Sequence, residues 1–291
     1  MKKTILILGS TGFIGKNLSE FLVEDYQLLT PKHKELDLLD SNALDRYFEK
    51  HKIDVIINCV VVGGSRAEEY ENNSLKKNLL ILSNILRNEK YYSKLIHLGS
   101  GAEYDKSRPI QKIIESQFGI YVPSDDYGIF KYIAAQLLER RKKAVNLRIF
   151  GLFGKYEDYR YRFISNAIVN NLNGRPISIR QNVYFDYVYI DDFVKIIKYF
   201  IENDTKESVY NIGTGRKIDI SLIADKINEI AEKKSQIVIE KEGLRNEYTC
   251  DNSRLIRDTS IDFTDFDKSL KELYLWYKQK ENIINLDSNL I

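Results

Sequence analysis

The sequence predicts an α/β fold: a doubly wound parallel sheet followed by a smaller, mixed α/β C-terminal lobe. Two observations carry this expectation. A short aliphatic run, Ile5 to Leu8, ends on Gly9 and continues as Gly9-x-x-Gly12-x-x-Gly15 into a helical pattern starting near Phe13. Beyond it, short apolar runs alternate with helix-period segments through the first 150 residues, and six strands are expected there. The glycine spacing between a buried strand and a helix start makes the sheet Rossmann-type, because that turn holds a dinucleotide pyrophosphate. Gly9 lets the chain turn, Gly12 lets backbone approach phosphate, and Gly15 lets the helix pack closely. The residues around them, Ser10, Thr11, Phe13 and Ile14, then present free N–H donors at a positive helix end.

The elements follow in order. Lys16 to Glu24 continues the first helix, with Leu18, Phe21 and Leu22 apolar at helical spacing. Tyr26 to Leu29 is the second strand and ends at Pro31. At this strand end an acid selects NAD and a base accommodates the 2′-phosphate of NADP. No acid follows directly, whereas Lys32, His33 and Lys34 do, so the sequence leans to NADP with NAD as the alternative. Asn42 to His51 is the next helix, with Ser41 as its cap. Ile53 to Val62 is a long aliphatic strand ending at Gly63-Gly64, suited to burial on both faces. A helix from about Asn73 to Asn88, a strand from Lys94 to Leu98 and a helix from about Tyr127 to Lys142 precede the strand Val145 to Phe150.

After Gly151 the pattern loosens. A helix is expected at Phe163 to Leu172, with strands at Ile177 to Arg180 and Tyr184 to Tyr189. Asp191-Asp192 caps a helix running to Glu202, and Val209 to Ile212 is a strand ending in a glycine turn. Ser221 caps a helix to about Glu232, a strand follows at Ile237 to Glu240, and Phe266 to Lys280 is a last amphipathic helix. The tail from Glu281 to Ile291 has no period. The expected division is a cofactor-binding domain of residues 1–150 with a returning segment at about 184–214. Residues 151–183 and 215–291 form a substrate lobe.

Composition narrows the function. Apolar residues at 43% and charged residues at 30% fit a globular chain, and a net charge of +2 gives no case for nucleic acid or a membrane surface. There is no apolar run long enough to span a bilayer. The first strand begins at Thr4, leaving no room for a secretory segment. Two cysteines argue against a disulfide framework, and three scattered histidines lack metal-ligand spacing. A cytoplasmic protein without a metal is expected.

The chemistry is carried by Tyr127-x-x-x-Lys131, whose spacing puts both side chains on one helix face. A nearby ammonium favours the phenolate and is expected to lower the Tyr127 pKa. Such a phenol can exchange a proton with a carbonyl or carbinol oxygen as hydride moves to or from a nicotinamide. Ser100 ends a parallel strand, at the sheet edge where α/β folds hold ligands, so its hydroxyl can bond the same oxygen.

With these motifs the chain resembles the extended short-chain dehydrogenase/reductase, or NAD-dependent epimerase/dehydratase, family, whose members act on nucleotide sugars. The resemblance covers nearly the whole chain. It includes Gly9-x-x-Gly12-x-x-Gly15, Asp37, Asn78, Ser100 four residues before Tyr104, Tyr127/Lys131, Tyr189-Ile190-Asp191-Asp192 and Tyr210 to Gly215. It implies Ser100 and Tyr127 as catalytic hydroxyls and Lys131 on the nicotinamide ribose. It places the cofactor also against Asp37, Leu38, Asn78 and the Cys59-Val60 backbone. It further implies a homodimer built through a four-helix bundle from the helices starting near Asn73 and Tyr127.

The branch that looks most similar is that of GDP-fucose synthase, on Glu35 to Ser41, Val62-Gly63-Gly64 and Leu98-Gly99-Ser100. That branch epimerises with a cysteine and a histidine, where this chain has Ala102 and Arg162. The acid pair of the dehydratase branch is replaced by Gly101-Ala102. Neither alanine nor arginine serves as the acid or base for C3/C5 proton transfer. What remains is hydride transfer on a nucleotide-diphosphate sugar: a 4-ketoreductase or dehydrogenase for surface polysaccharide synthesis. A 4-epimerase retaining NAD and a catalytically idle NAD(P)-binding regulator are the alternatives. The family arginine that holds the diphosphate is Phe185 here, so the substrate side is expected at Ala102, Glu103, Arg162 and Arg180, with Arg160 and Arg245 as further cations.

Overall fold

A computed structural model describes residues 2–63 and 73–280. Gly64 and the tail from Glu281 to Ile291 lie outside the described residues. In chain order the first elements are β1 (Thr4–Leu8), α1 (Phe13–Leu22), β2 (Gln27–Leu29), α2 (Ser41–Lys50), β3 (Val55–Asn58), α3 (Ser74–Leu86) and β4 (Lys94–Ser100). Then come β5 (Ile110–Ile113), α4 (Asp126–Glu139), β6 (Ala144–Ile149), β7 (Gly151–Phe153), α5 (Phe163–Leu172), β8 (Ile177–Asn182), β9 (Tyr184–Phe185) and β10 (Tyr187–Tyr189). The chain continues with α6 (Ile190–Glu202), β11 (Val209–Ile212), β12 (Ile218–Asp219), α7 (Ile220–Ile230), β13 (Ile237–Leu244), β14 (Tyr248–Cys250), α8 (Ser253–Thr259) and α9 (Phe266–Lys278).

The main sheet is parallel throughout, in the order β11-β6-β4-β3-β1-β2. The chain starts in β1, winds outward to β2, then returns to β3 on the other side. The crevice beyond the carboxyl ends of β1 and β3 is therefore the topological switch point, where such sheets bind ligands. Side chains of β1 alternate strictly. Ile5 and Ile7 join the core beneath α1 and α6, while Leu6 and Leu8 join the core beneath α2, α3 and α4. Each fully buried aliphatic side chain contributes about 1.5–3 kcal/mol, which makes β1 the keel of both layers.

Several expected boundaries move, each for a local reason. Only five strands of the main sheet lie within the first 150 residues; the sixth is β11, and β5 joins a different sheet. The aliphatic run after Ile53 leaves the sheet at Asn58, where the Asn58 side chain accepts from Val60 N at 3.2 Å and turns the chain. Asp40, not Ser41, caps α2, accepting from Asn42 N and Ala43 N. Likewise Asp219, not Ser221, caps α7. Asp191 and Asp192 sit inside the first turn of α6, and Asp192 is spent bonding Thr264.

The C-terminal part adds a four-stranded sheet, β12-β9-β14-β5, and a parallel pair, β13-β8. Parallel pairing of β14 with β5 carries residues 248–250 back to the loop that follows Ser100. Among the described residues no helix is long and apolar enough to cross a membrane, and no cluster of His, Cys, Asp or Glu is placed to hold a metal ion.

One carboxyl in this lobe titrates unusually. Glu157 is buried, accepts from Ser165 Oγ at 2.6 Å, and is pushed up to about 7 by burial, against the opposing pull of Ser165 and Arg162. The folded state therefore holds that proton more tightly than the unfolded chain, whose group titrates near 4.5. Stability from this group is full below about 4.5 and is lost as pH rises through about 7. Glu157→Gln, neutral at every pH, is expected to match the wild type near pH 4.5 and to exceed it above pH 7 by roughly 3 kcal/mol. Parallel thermal melts across that range measure the difference.

Candidate active site

The glycine turn forms the cradle a pyrophosphate needs. Gly9 has φ +79°, a conformation that strains other residues, and Gly12 N donates to Gly9 O at 3.1 Å. Gly12 caps α1 without any side-chain hydrogen bond, so the first N–H groups of the helix, from Phe13 and Ile14, remain for an anion. A β-carbon on Gly15 would collide with Gly9 O. At Gly9 it would crowd Val60 Cγ2 at 3.1 Å and the Cys59 carbonyl carbon at 3.3 Å, so the turn and the end of β3 close on each other. Ser10 Oγ bonds Thr30 O at 3.4 Å, which ties the turn to the end of β2, and Thr11 is exposed. These features fit a dinucleotide, which would lie from Gly12 across the ends of β1 and β3.

The adenosine side is built by folded loops. Lys32 O accepts from Glu35 N and Leu36 N, leaving Lys32, His33 and Lys34 exposed beside the end of β2. Asp37 is exposed, with one oxygen accepting from Leu39 N at 2.9 Å, and Asn84 holds the Leu38 carbonyl at 3.0 Å. Asn78 grips the chain after β3 from both sides, accepting from Val62 N and donating to Val62 O. It positions the cofactor crevice through backbone. Cys59 is half-buried, and burial pushes its thiol up to about 12, so it offers backbone and bulk but no nucleophile.

Ser100 ends β4 and starts a tight 3₁₀ turn over Gly101–Tyr104. Its Oγ accepts from Ala102 N at 3.1 Å, while Glu103 Oε1 accepts from Ser100 N at 3.0 Å, a reciprocal capping box. Asp125 caps α4, accepting from Gly128 N at 3.0 Å, and so sets Tyr127 in the first turn over Ser100. Lys131, one turn on, is buried; its Nζ donates to Leu98 O at 2.5 Å and lies 5.7 Å from the Tyr127 ring centroid. The three side chains thus meet at the carboxyl edge of β4.

The electrostatics differ from the expected lowering of the phenol pKa. Burial dominates, holding the Tyr127 phenol above its ordinary value against the Ser100 hydrogen bond and the Arg162 charge. Burial also pulls Lys131 down to about 8, with Glu103 and Cys59 acting the other way. Tyr127 is therefore a protonated phenol at neutral pH, suited to giving a proton.

On the substrate side two expectations are corrected. Ala102 and Glu103 are fully buried and present no surface to a ligand. Both Glu103 oxygens are taken, by Ser100 N, Asn146 Nδ2 and the Arg148 guanidinium. A β-carbon on Gly99 would collide with this cluster, which explains a glycine in mid-strand. Arg162 and Arg180 are exposed, Arg162 close enough to act on the Tyr127 phenol. Arg160 is engaged bidentately by Asp158, with both contacts at 2.9 Å.

Sequence reasoning missed Tyr248 and Lys106. Tyr248 arrives on β14 with its hydroxyl over Gly101, where a β-carbon would come within 2.6 Å of it. Lys106 Nζ sits 5.3 Å from the Tyr127 ring centroid. Phe185 stacks against Tyr187 at 5.4 Å and packs on Tyr248 at 5.5 Å, which makes this position an aromatic wall. Asp186 beside it is buried and accepts from Thr214 N, Thr214 Oγ1 and Gly215 N. The Gly213-Thr214-Gly215 turn is thereby a structural clasp. Tyr104 and Asn211 are another, joined at 2.8 Å.

Residues 5–213 match the model of the NAD dependent epimerase/dehydratase family. GDP-L-colitose synthase from Yersinia pseudotuberculosis is 27% identical over 266 residues, covering 81% of this chain and 85% of that protein. Among solved structures, a GDP-mannoheptose C4 reductase from Campylobacter jejuni with NADP bound aligns with a TM-score of 0.83 at 18% identity. It covers 95% of this chain and 98% of its own. A UDP-glucose 4-epimerase from Thermotoga maritima aligns with a TM-score of 0.80 at 21% identity, covering 96% and 99%. At such identities the two structures speak for the fold.

Proposed function

Since the chain belongs to the NAD dependent epimerase/dehydratase family, we propose that it is an NADPH-dependent 4-ketoreductase of a nucleotide-diphosphate sugar. The observation that carries this reading is the half-buried, protonated Tyr127 set over Ser100 and beside Lys131, with inert, buried Ala102 in the turn. With its pyrophosphate held in the glycine cradle, the reduced cofactor would supply hydride from its nicotinamide. Ser100 and Tyr127 hold the sugar carbonyl oxygen, and Tyr127 gives it the proton. Lys131 supports the phenolate that remains.

GDP is the favoured nucleotide, on the names of the colitose synthase and mannoheptose reductase relatives. Lys32, His33 and Lys34 favour the 2′-phosphate of NADP. Arg162 and Lys106, flanking the phenol, are positioned to take the diphosphate charge that Phe185 cannot. Residues 1–150 with about 184–214 serve the cofactor, and the remainder serves the sugar nucleotide. The protein works in the cytoplasm, in surface polysaccharide synthesis, as a dimer. Leu80 on α3 and Leu137 on α4 are 44% and 46% exposed on neighbouring helices, as a four-helix interface requires. Cofactor exchange tests the reading: purified protein should bind NADPH more tightly than NADH and release it freely. Retention of stoichiometric NAD through purification would speak for an epimerase instead.

A further inference from the structure

Tyr156 has φ +69°, in the left-handed region, where a bulky residue stays only if its surroundings fix it. Here α1 fixes it. Tyr156 Oη donates to Glu20 Oε1 at 2.7 Å, and Lys16 Nζ lies 3.7 Å from the ring centroid. Trp276 of α9 meets the ring edge to face at 5.3 Å. The preceding residue is tied to the same helix. Lys155 O accepts from Asn17 Nδ2 at 2.8 Å, and Lys155 Nζ lies 5.0 Å from the Phe21 ring centroid. Asn17 is fully buried, and its amide nitrogen also donates to Phe13 O at 2.8 Å. Among the described residues nothing bonds its Oδ1. A buried amide costs free energy unless it is bonded, and leucine would suit a buried helix position without that cost. The two bonds are therefore what Asn17 contributes. They join Lys155 to Phe13, whose own N–H lies at the open start of α1.

The next residue faces the other way. Glu157 is buried and accepts from Ser165 Oγ on α5 at 2.6 Å, while Tyr277 Oη of α9 donates to Glu157 O at 3.4 Å. Asp158 O then accepts from Tyr161 N and Arg162 N, both at 3.2 Å, and the chain enters α5. We propose that Asn17 and Tyr156 are positioning residues that latch the 157–162 segment to the cofactor helix, so that the first turn of α1, when it holds a dinucleotide, also holds the entrance to α5 ready for the sugar nucleotide. The Phe13 and Ile14 N–H groups are fixed by the anion. The Phe13 carbonyl and the Asn17 amide carry that restraint to Lys155, and Tyr156 carries it to Glu157 and Ser165. The latch needs only a dinucleotide on α1; its effect on the sugar nucleotide rests on the proposed reductase reading.

The test compares the full-length wild type with Asn17→Leu, Tyr156→Asn and Tyr156→Phe. Asparagine tolerates the left-handed region, so Tyr156→Asn removes the ring without adding backbone strain. Phenylalanine keeps the ring against Lys16 and Trp276 and loses only the exposed bond to Glu20. The first measurement is amide hydrogen exchange with and without NADP. NADP should slow exchange at residues 13–18 in all four proteins. In wild type and Tyr156→Phe it should also slow exchange at residues 158–164, by about tenfold. In Asn17→Leu and Tyr156→Asn that second protection should fall below about twofold, since the bonds that carry it are gone. The second measurement is GDP titration. NADP should tighten GDP about tenfold in wild type and less than about twofold in these two variants, while each ligand alone binds within about twofold of wild type.

Equal protection of residues 158–164 in wild type, Asn17→Leu and Tyr156→Asn would make the two side chains ordinary packing and overturn the proposal. So would a wild type in which NADP protects residues 13–18 alone. Protection of neither segment removes the premise and the proposal with it. If Asn17→Leu fails to fold, Tyr156→Asn decides. If GDP does not bind the wild type with or without NADP, the nucleotide-sugar reading fails for that nucleotide, and hydrogen exchange alone decides the latch.

Discussion

Tyr127→Phe is expected to lower kcat for ketone reduction by roughly 10³-fold while leaving KM within a few-fold and cofactor binding intact. The phenol stands in the first turn of α4 at the carboxyl edge of β4 and is protonated at neutral pH. Lys131 lies one helix turn further on, with Nζ bonded to the Leu98 carbonyl and 5.7 Å from the phenol ring centroid. Phenylalanine keeps the ring and its packing, so the folded protein should melt at nearly the wild-type temperature. Steady-state rates with NADPH in excess measure the effect. A loss under about tenfold would mean that the proton comes from elsewhere.

The second large effect is on stability. Arg148→Met should cost about 3–5 kcal/mol, because it leaves the Glu103 carboxylate buried without its countercharge. Both residues of the pair are essentially inaccessible to water. Arg148 also donates to Tyr104 at 2.8 Å, and Tyr104 reaches Asn211 on β11, so the change loosens the contact between the main sheet and the turn after Ser100. Denaturant unfolding reads the loss directly. Replacing both partners, Glu103→Leu with Arg148→Met, should recover a large part of it, since the cost comes from an unpaired charge. If the double variant were as unstable as the sum of the singles, the pair would not be the source of the effect.

The contrast between these two sites shows what the sequence could reveal. Gly9, Gly12 and Gly15, Ser100, Tyr127 and Lys131 are legible because short-range geometry dictates them. A turn needs its glycines three apart, and one helix turn separates the phenol from the ammonium. Glu103 is different. In sequence it is an acid in a turn three residues after Ser100, which suggests a substrate contact. Its burial is decided by Arg148, 45 residues later, across two neighbouring strands. Tyr248 is less visible still. It is one of 20 tyrosines, on a three-residue strand, and the pairing of β14 with β5 and β9 brings it to Gly101. The fall in the Tyr127 pKa expected from Lys131 fails for a related reason. Spacing gives the neighbour's charge, but the loss of solvent around the phenol is set by elements far along the chain, and here it prevails.

Turnover of a sugar nucleotide tests the central claim most directly. Purified protein would be mixed with NADPH and, in turn, GDP-, CDP-, UDP- and dTDP-linked 4-keto-6-deoxyhexoses, following dihydronicotinamide absorbance and the product sugar together. The expected result is one equivalent of NADPH oxidised per keto sugar consumed, fastest with the GDP-linked compound, giving a single C4 alcohol. Interconversion of C4 epimers without net NADPH oxidation, or binding of cofactor with no hydride transfer to any of the four, would contradict it.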